Sequence, residues 1–263
     1  MSKTADLKQV FKDAQNSGDL SQKSMQVLTG NLDLGAQIQA GLGIAAEDVQ
    51  ASEVVLVSLL IDDSGSIRFG NNAQLVRDGH NTVLDSLQQA KAKEGVLIAT
   101  SYLNGTVLYP YRKIDDADKM DSKNFNPNGG TPLYDRAIVL CGQVIAKTKE
   151  FEDNGIPVRT ISCIVTDGAD QGSRATARDA KNIIEDLLRR EKHIVAGMGI
   201  EDGTTDFKQV FSDMGIRAEW ILTPKNSDKE IRKAFQLFSQ SAVRASQNAA
   251  SFSKTALGGF ATP

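Results

Sequence analysis

The feature that most constrains the fold is an almost wholly apolar run, Val54–Ile61, which ends in the polar segment Asp62-Asp63-Ser64-Gly65-Ser66. Several residues of the run are β-branched. Such a run is typical of a strand that is buried on both faces of a parallel sheet. Open α/β sheets bind ligands just beyond the carboxyl ends of their strands. The polar segment is therefore a candidate binding loop.

The composition is that of an ordinary globular protein with one sizeable core. The chain has 263 residues, of which 40% are hydrophobic and 24% are charged. The net charge of −3 and the pI of about 5.5 give no electrostatic footprint for nucleic acid or an anionic membrane. Cys141 and Cys163 lie in apolar surroundings, and two cysteines are too few for a disulfide-built domain, so we expect buried free thiols.

The first residues and the apolar runs bear on the cellular location. The N-terminal segment lacks the apolar stretch of a signal peptide. No apolar run approaches the ~20 residues that are needed to span a bilayer. We therefore expect a cytoplasmic protein.

Strand and helix patterns alternate along residues 51–247, which predicts an α/β fold. Asn104-Gly105 indicates a hairpin, and Pro110 in its second strand indicates a sheet edge. The expected fold is a doubly wound, Rossmann-like, mostly parallel sheet with one antiparallel edge strand and helices on both faces. After the first strand, we expect helices near residues 75–92, 132–149, 174–190, 206–214 and 227–246, and strands near residues 95–103, 107–114, 159–165, 193–199 and 220–222.

Two segments flank this main domain, which we assign to residues 51–247. Residues 1–50 show helical spacing of apolar residues and are expected to form a helical extension, either packed on the main domain or serving as a partner-binding arm. Residues 248–263 are rich in Ser, Ala and Gly and are expected to form a flexible tail. Ser227 and Glu230 have the spacing of a capping box at the start of the last helix.

Oxygen-bearing side chains occur in three segments that are predicted at strand ends or helix starts. The first is Asp62-Asp63-Ser64-Gly65-Ser66, the second is Gly129-Gly130-Thr131-Pro132, and the third is Thr166-Asp167-Gly168. Carboxylates and hydroxyls are hard ligands that suit Mg²⁺ or Mn²⁺, and no thiolate or imidazole cage accompanies them. Because Pro132 disfavours helical backbone at the residue before it, we expect Thr131 to act as an N-cap.

Together the three segments resemble the metal-ion-dependent adhesion site (MIDAS) of the von Willebrand factor A (vWA) domain family. The family pattern is Asp-x-Ser-x-Ser after the first strand, a Thr in a Gly-Gly-Thr-Pro-like loop and an Asp after a later strand. All five positions are filled, and the resemblance covers about residues 52–245. The matching residues are Asp62, Ser64, Ser66, Thr131 and Asp167.

The resemblance implies a function as well as a fold. In the family, the two serines usually bind Mg²⁺ directly, the Thr and the two Asp bind directly or through water, and an open position takes an acidic side chain of a partner protein. Mn²⁺ or Ca²⁺ are alternatives, and the final helix can shift. Intracellular members often work beside AAA-type ATPases or in bacterial stress and metal-resistance systems. We therefore expect a non-enzymatic, intracellular bacterial adaptor or scaffold, with no nucleic-acid or membrane partner.

Other interpretations stay open at this point. Asp62, Ser64 and Ser66 alone are also typical of a solvated turn. A metal-dependent hydrolase or phosphotransfer enzyme could use Asp62 and Asp167, but dehalogenase-like phosphatases need Asp-x-Asp, and Ser64 occupies the third position here. Neither a phosphate-binding loop nor a Ser/His/Asp constellation is evident. An RNA-associated scaffold is disfavoured by the acidic charge and the few aromatic residues.

The remaining polar and aromatic candidates are expected to be structural. Asp63 occupies a variable position of the motif and is expected to face solvent or the flanking loop. Asp170 is expected to be a loop carboxylate. His80, His193 and Trp220 are expected to lie in the core.

Overall fold

The structure is a computed structural model, and it describes residues 3–30 and 32–260. Its strands form one six-stranded sheet in the order β3-β2-β1-β4-β5-β6, all parallel except β3, which runs antiparallel to β2 at one edge. The doubly wound, mostly parallel sheet with one antiparallel edge strand is confirmed. The strands are β1 (Val54–Ile61), β2 (Val96–Tyr102), β3 (Val107–Lys113), β4 (Val158–Thr166), β5 (His193–Gly199) and β6 (Ile221–Leu222).

The central strand is β1, which lies between β2 and β4. All eight of its residues are buried, as expected for an apolar strand covered on both faces. The chain leaves β1 toward β2 on one side and returns to β4 on the other. The strand order therefore reverses between β1 and β4, and such a switch point opens a crevice at the carboxyl ends of the two strands.

Helices cover both faces of the sheet. The helices of the main domain are α4 (Asn72–Gln88), α5 (Leu133–Asp153), α6 (Ala177–Leu188), α7 (Phe207–Asp213), α8 (Asp228–Gln247) and α9 (Ala249–Gly258). Helix α5 packs on β1, β4 and α6, whereas α8 packs on β1, β4 and α4. Helices α4 and α8 approach closely at Gly79, where a Cβ atom would lie 2.2 Å from the Phe235 ring. None of the described helices has the length and apolar character to cross a membrane.

Three further helices occupy the N-terminal region: α1 (Lys3–Asn16), α2 (Gln22–Thr29) and α3 (Leu32–Ala40). Phe11, Leu28 and Ile38 are buried in the same hydrophobic cluster as the sheet. The backbone N–H of Ser21 donates to Asp186 in α6 at 2.7 Å. These helices are thus packed on the main domain over their described part, while residues 1, 2 and 31 lie outside the described residues.

The C-terminal segment differs from the expected flexible tail. Residues 249–258 form α9, and Phe252 on this helix is buried. The Trp220 indole donates to the carbonyl of Ala256 at 3.3 Å, and the Trp220 and Phe260 rings are 4.9 Å apart. Phe252 and Phe260 therefore anchor the C-terminal segment, although its Ser, Ala and Gly content is typical of a loose chain. Residues 261–263 lie outside the described residues.

One local expectation also differs, whereas the predicted β2–β3 hairpin is present. Ser227 precedes α8 without a capping hydrogen bond from its side chain, whereas Thr176 and Asp179 form a capping box at the start of α6. In the hairpin, Gly105 has a positive φ of 94°, but Asn104 does not. The Asn104 side chain instead accepts the N–H of Thr106 at 2.6 Å. The two cysteines are free and buried, as predicted.

Candidate metal centre

The two predicted acidic ligands lie side by side at the switch point of the sheet. Ile61, the last residue of β1, pairs with Val165 of β4. Asp62 follows β1 directly, and its backbone N–H donates to the carbonyl of Val165 at 2.8 Å. Asp167 follows β4 directly. The topology thus brings together two carboxylates that are about a hundred residues apart in sequence.

Asp62 is fully buried, and hydrogen bonds fix both of its carboxylate oxygens. Its Oδ1 accepts the backbone N–H of Ser64 at 2.7 Å, and its Oδ2 accepts the Thr166 hydroxyl at 2.6 Å. The Thr166 hydroxyl also lies 2.9 Å from the carbonyl of Gly168. Thr166, which belongs to the third predicted segment, therefore positions the carboxylate.

A chain of hydroxyl contacts joins the first segment to the third. The Ser64 and Ser66 hydroxyl oxygens are 2.9 Å apart, and the Ser66 hydroxyl donates to Asp167 Oδ1 at 2.7 Å. Ser66 is exposed, whereas Ser64 and Asp167 are buried. These oxygens lie together at the carboxyl ends of β1 and β4, and Ser66 is the solvent-exposed member of the group. We call residues 62–66, 129–131 and 166–168 the site rim.

Backbone hydrogen bonds hold Thr131 between the other two segments of the rim. Ser64 forms a parallel bridge with Gly129, and the Gly65 N–H donates to the Gly129 carbonyl at 3.2 Å. On the other side, the Gln171 N–H donates to the Thr131 carbonyl at 2.7 Å. Thr131 is buried. The structure therefore places all five predicted residues at the same edge of the sheet.

The expected capping role of Thr131 is wrong. Pro132 occupies the N-cap position, and α5 begins at Leu133. Pro132 has φ −75° and ψ 65°, and the Leu133 N–H donates to the Thr131 carbonyl at 2.8 Å. This is an inverse γ-turn. Because the turn inserts one residue between Thr131 and the helix, the threonine belongs to the rim rather than to the helix end.

Burial and like charge act together on the acids of the rim. Burial raises the pKa of Asp167 to about 6; the hydrogen bond from Ser66 opposes this shift, and the negative charges of Asp62 and Asp202 add to it. Burial also raises the pKa of Asp63. A buried acid near other negative charges is stabilised by a proton or by a cation. Protons and cations therefore compete for binding at the rim.

Of the two alternatives expected for Asp63, solvent is wrong and the flanking loop is right, because the residue is buried against the neighbouring loops. Its carboxylate Oδ1 accepts the backbone N–H of Asn104 in the β2–β3 hairpin at 2.9 Å. Its backbone carbonyl accepts the N–H groups of Asn128 and Gly129, both at 2.8 Å. Asp63 thus ties the hairpin and the second segment to the end of β1. Sequence analysis missed this role because Asn104 is predicted only as a turn residue.

The other side chains considered from the sequence lie outside the rim. The His80 ring is buried within hydrogen-bond distance of Thr100 and Tyr109, and burial lowers its pKa to about 4, so it is neutral. His193 and Trp220 are also buried, as predicted for core residues. Asp170 accepts the Tyr134 N–H at 3.1 Å and acts as a loop carboxylate.

Among the described residues, no group of three or more His, Cys, Asp or Glu side chains is arranged to hold a metal ion. The rim itself contributes Asp62 and Asp167, with hydroxyl oxygens beside them. A cation at this rim would therefore depend on serine and threonine oxygens, which fits a hard cation such as Mg²⁺.

Solved structures of other proteins have folds similar to this one at low sequence identity. The pilus adhesin SpaC from Lactobacillus rhamnosus GG is similar in one form at 15% identity and a TM-score of 0.53, and in its open conformation at 16% identity and a TM-score of 0.54. Both comparisons cover 74% of this chain and 31% of SpaC. The SpRpn10 VWA domain is 10% identical over 70% of this chain and 95% of that domain, with a TM-score of 0.48.

The fold resembles that of these structures, one of which is a VWA domain. Another structure with this likeness is proximal thread matrix protein 1 from the mussel byssus with a zinc-occupied MIDAS motif, which is 18% identical over 83% of this chain and 52% of that chain, with a TM-score of 0.48. This chain spans about a third to a half of the length of the first structures it matches. No protein-family model and no curated protein matches the sequence, so the likeness concerns the fold alone.

Proposed function

We propose that this chain is a protein-binding module that depends on a divalent cation. One Mg²⁺ is held by Asp62, Ser64, Ser66, Thr131 and Asp167, and it takes an Asp or Glu side chain from a partner protein. The observation that carries the proposal is the continuous contact from Ser64 through Ser66 to Asp167, which joins two strand ends in one cluster of oxygens.

The chemistry of the donor set supports a hard cation. Carboxylate and hydroxyl oxygens suit Mg²⁺, and Mn²⁺ or Ca²⁺ are the alternatives. Asp62 and Asp167 repel each other, and a cation at the rim would offset this repulsion. The bound cation supplies a Lewis acid with a coordination position for the carboxylate of the partner. Ser64 and Thr166 orient Asp62, and the exposed Ser66 marks the side from which the partner approaches.

A hydrolase or phosphotransfer enzyme that uses Asp62 and Asp167 is the alternative. Both oxygens of Asp62 accept hydrogen bonds from the protein, and this favours the role of a fixed metal ligand over that of a nucleophile. Phosphatase and ATPase assays with the Asp62→Asn variant as control distinguish the two functions. Metal-dependent turnover that the substitution abolishes would establish the enzyme.

The cellular setting is part of the proposal. We place the module in the cytoplasm as an adaptor or scaffold, with an AAA-type ATPase or a stress-response system as the source of its partner. Capture from a lysate of the source cell tests the proposed function. The immobilised wild type should retain a protein in Mg²⁺ and release it in EDTA, and Asp62→Asn should not retain it. Equal retention in EDTA and by the variant would contradict metal-dependent recognition.

A further inference from the structure

Two consecutive exposed side chains, Arg68 and Phe69, follow the first segment of the site rim. The rim continues into a short 3₁₀ helix, Gly65–Arg68, and the N–H of Phe69 donates to the Ser66 carbonyl at 2.9 Å. Gly70 then has a positive φ of 62°, which turns the chain toward α4. Because both ends of this turn are fixed, Arg68 and Phe69 are held close to the first segment of the rim.

The Phe69 side chain is largely exposed to solvent. Its side chain is 76% exposed, and among residues 7–30 and 33–260 the other exposed large apolar side chain is Leu257. Leu257 lines a cavity with His193, at the amino end of β5 and therefore at the opposite edge of the sheet. A single exposed apolar residue needs no explanation by itself. The significance of Phe69 lies in its position beside Arg68 and the rim.

Arg68 lies across the gap between two segments of the rim. Its Nη2 donates to the Asn128 side-chain oxygen at 2.7 Å and lies 3.8 Å from the position that a Cβ on Gly65 would occupy. A guanidinium has five N–H donors, more than this bond uses, and its planar fork matches a carboxylate. Arg68 therefore places a positive charge beside the first two segments of a rim that carries Asp62, Asp63 and Asp167.

We propose that Arg68 and Phe69 form the specificity edge of this binding site. Arg68 binds the same partner carboxylate that the cation takes, and Phe69 packs on a large apolar side chain next to it. The partner is thus a protein segment that carries an Asp or Glu adjacent to an aromatic or aliphatic residue. Charge complementarity selects the acid, and the exposed ring selects its neighbour. This inference rests on the proposed function.

The test uses three labelled synthetic peptides of about ten residues, with central Asp-Phe, Asp-Ser or Asn-Phe, titrated by fluorescence anisotropy in Mg²⁺. The wild type should bind Asp-Phe about tenfold more tightly than Asp-Ser, and Asn-Phe should not bind. Phe69→Ser should reduce the affinity for Asp-Phe to that for Asp-Ser. Arg68→Gln should weaken both Asp peptides, and the control variant Leu257→Ser should behave as the wild type.

Calorimetry with Mg²⁺ alone tests the metal site separately from the specificity edge. If the wild type and Phe69→Ser both bind Mg²⁺ but the three peptides bind equally, or not at all, the specificity edge is wrong and the metal site stands. If Mg²⁺ does not bind, the proposed function itself fails. Equal loss of affinity in Leu257→Ser and Phe69→Ser would also overturn the specificity edge.

Discussion

Replacing Asp62 by Asn is expected to abolish the stabilisation of the protein by Mg²⁺. Asp62 is fully buried, and the substitution removes its charge while keeping its size. At a Mg²⁺ concentration of 100 times Kd, the free energy of unfolding of the wild type should rise by about 2.7 kcal/mol. The variant should gain close to nothing. Thermal unfolding with and without Mg²⁺ measures the difference.

The variant should still fold, which keeps the comparison meaningful. The Asn oxygen can accept the N–H of Ser64, and the Thr166 hydroxyl retains an acceptor because the Gly168 carbonyl lies 2.9 Å away. Asp170→Asn is the matched control, because Asp170 is a loop carboxylate that contacts the Tyr134 N–H. That control should keep the response to Mg²⁺. A full response in Asp62→Asn would show that Mg²⁺ stabilises the protein from another position.

Replacing Phe252 by Ala should lower the free energy of unfolding by about 3–5 kcal/mol, the usual cost of removing a fully buried phenylalanine. Phe252 is 1% exposed and belongs to the hydrophobic cluster of the sheet. Its ring also lies under the Arg159 guanidinium, at 5.8 Å from ring centre to Arg159 Cζ. Chemical denaturation, followed by circular dichroism, measures the loss.

A second residue on the same helix provides the control. Leu257 is 81% exposed, so Leu257→Ala should change the free energy of unfolding by no more than about 0.5 kcal/mol. The difference between the two variants reports whether α9 is docked. Nearly equal, small effects would mean that residues 248–263 are the flexible tail that the composition suggests.

The fold could be predicted from the sequence because its signals are local and repeated. Val54–Ile61 is apolar enough to require a buried strand, and Pro110 marks the edge strand. The C-terminal helix could not be predicted in this way. Its docking depends on Phe252 and Phe260 meeting partners far away in sequence, and a Ser- and Ala-rich segment carries no local sign of such contacts.

The meeting of the three segments was predictable, and their local geometry was less so. The three segments could be placed at one edge because parallel strands share their carboxyl ends. The inverse γ-turn at Pro132 was not predictable, because proline leaves the ψ angle free. The burial of Asp63 was not predictable either, because it depends on a hydrogen bond between separate loops. The orienting role of Thr166 likewise appears only when β1 and β4 are paired.

Titration of Mg²⁺ into metal-free protein by calorimetry, comparing the wild type with Thr131→Ala, tests most directly whether separate segments hold one ion. Thr131 lies 65 positions beyond Ser66 in the sequence, yet both belong to the site rim. We predict one Mg²⁺ per wild-type chain and clearly weaker binding in Thr131→Ala, with an unchanged melting temperature in metal-free buffer. Identical titrations of the two proteins, or no binding by the wild type, would contradict the proposed metal centre.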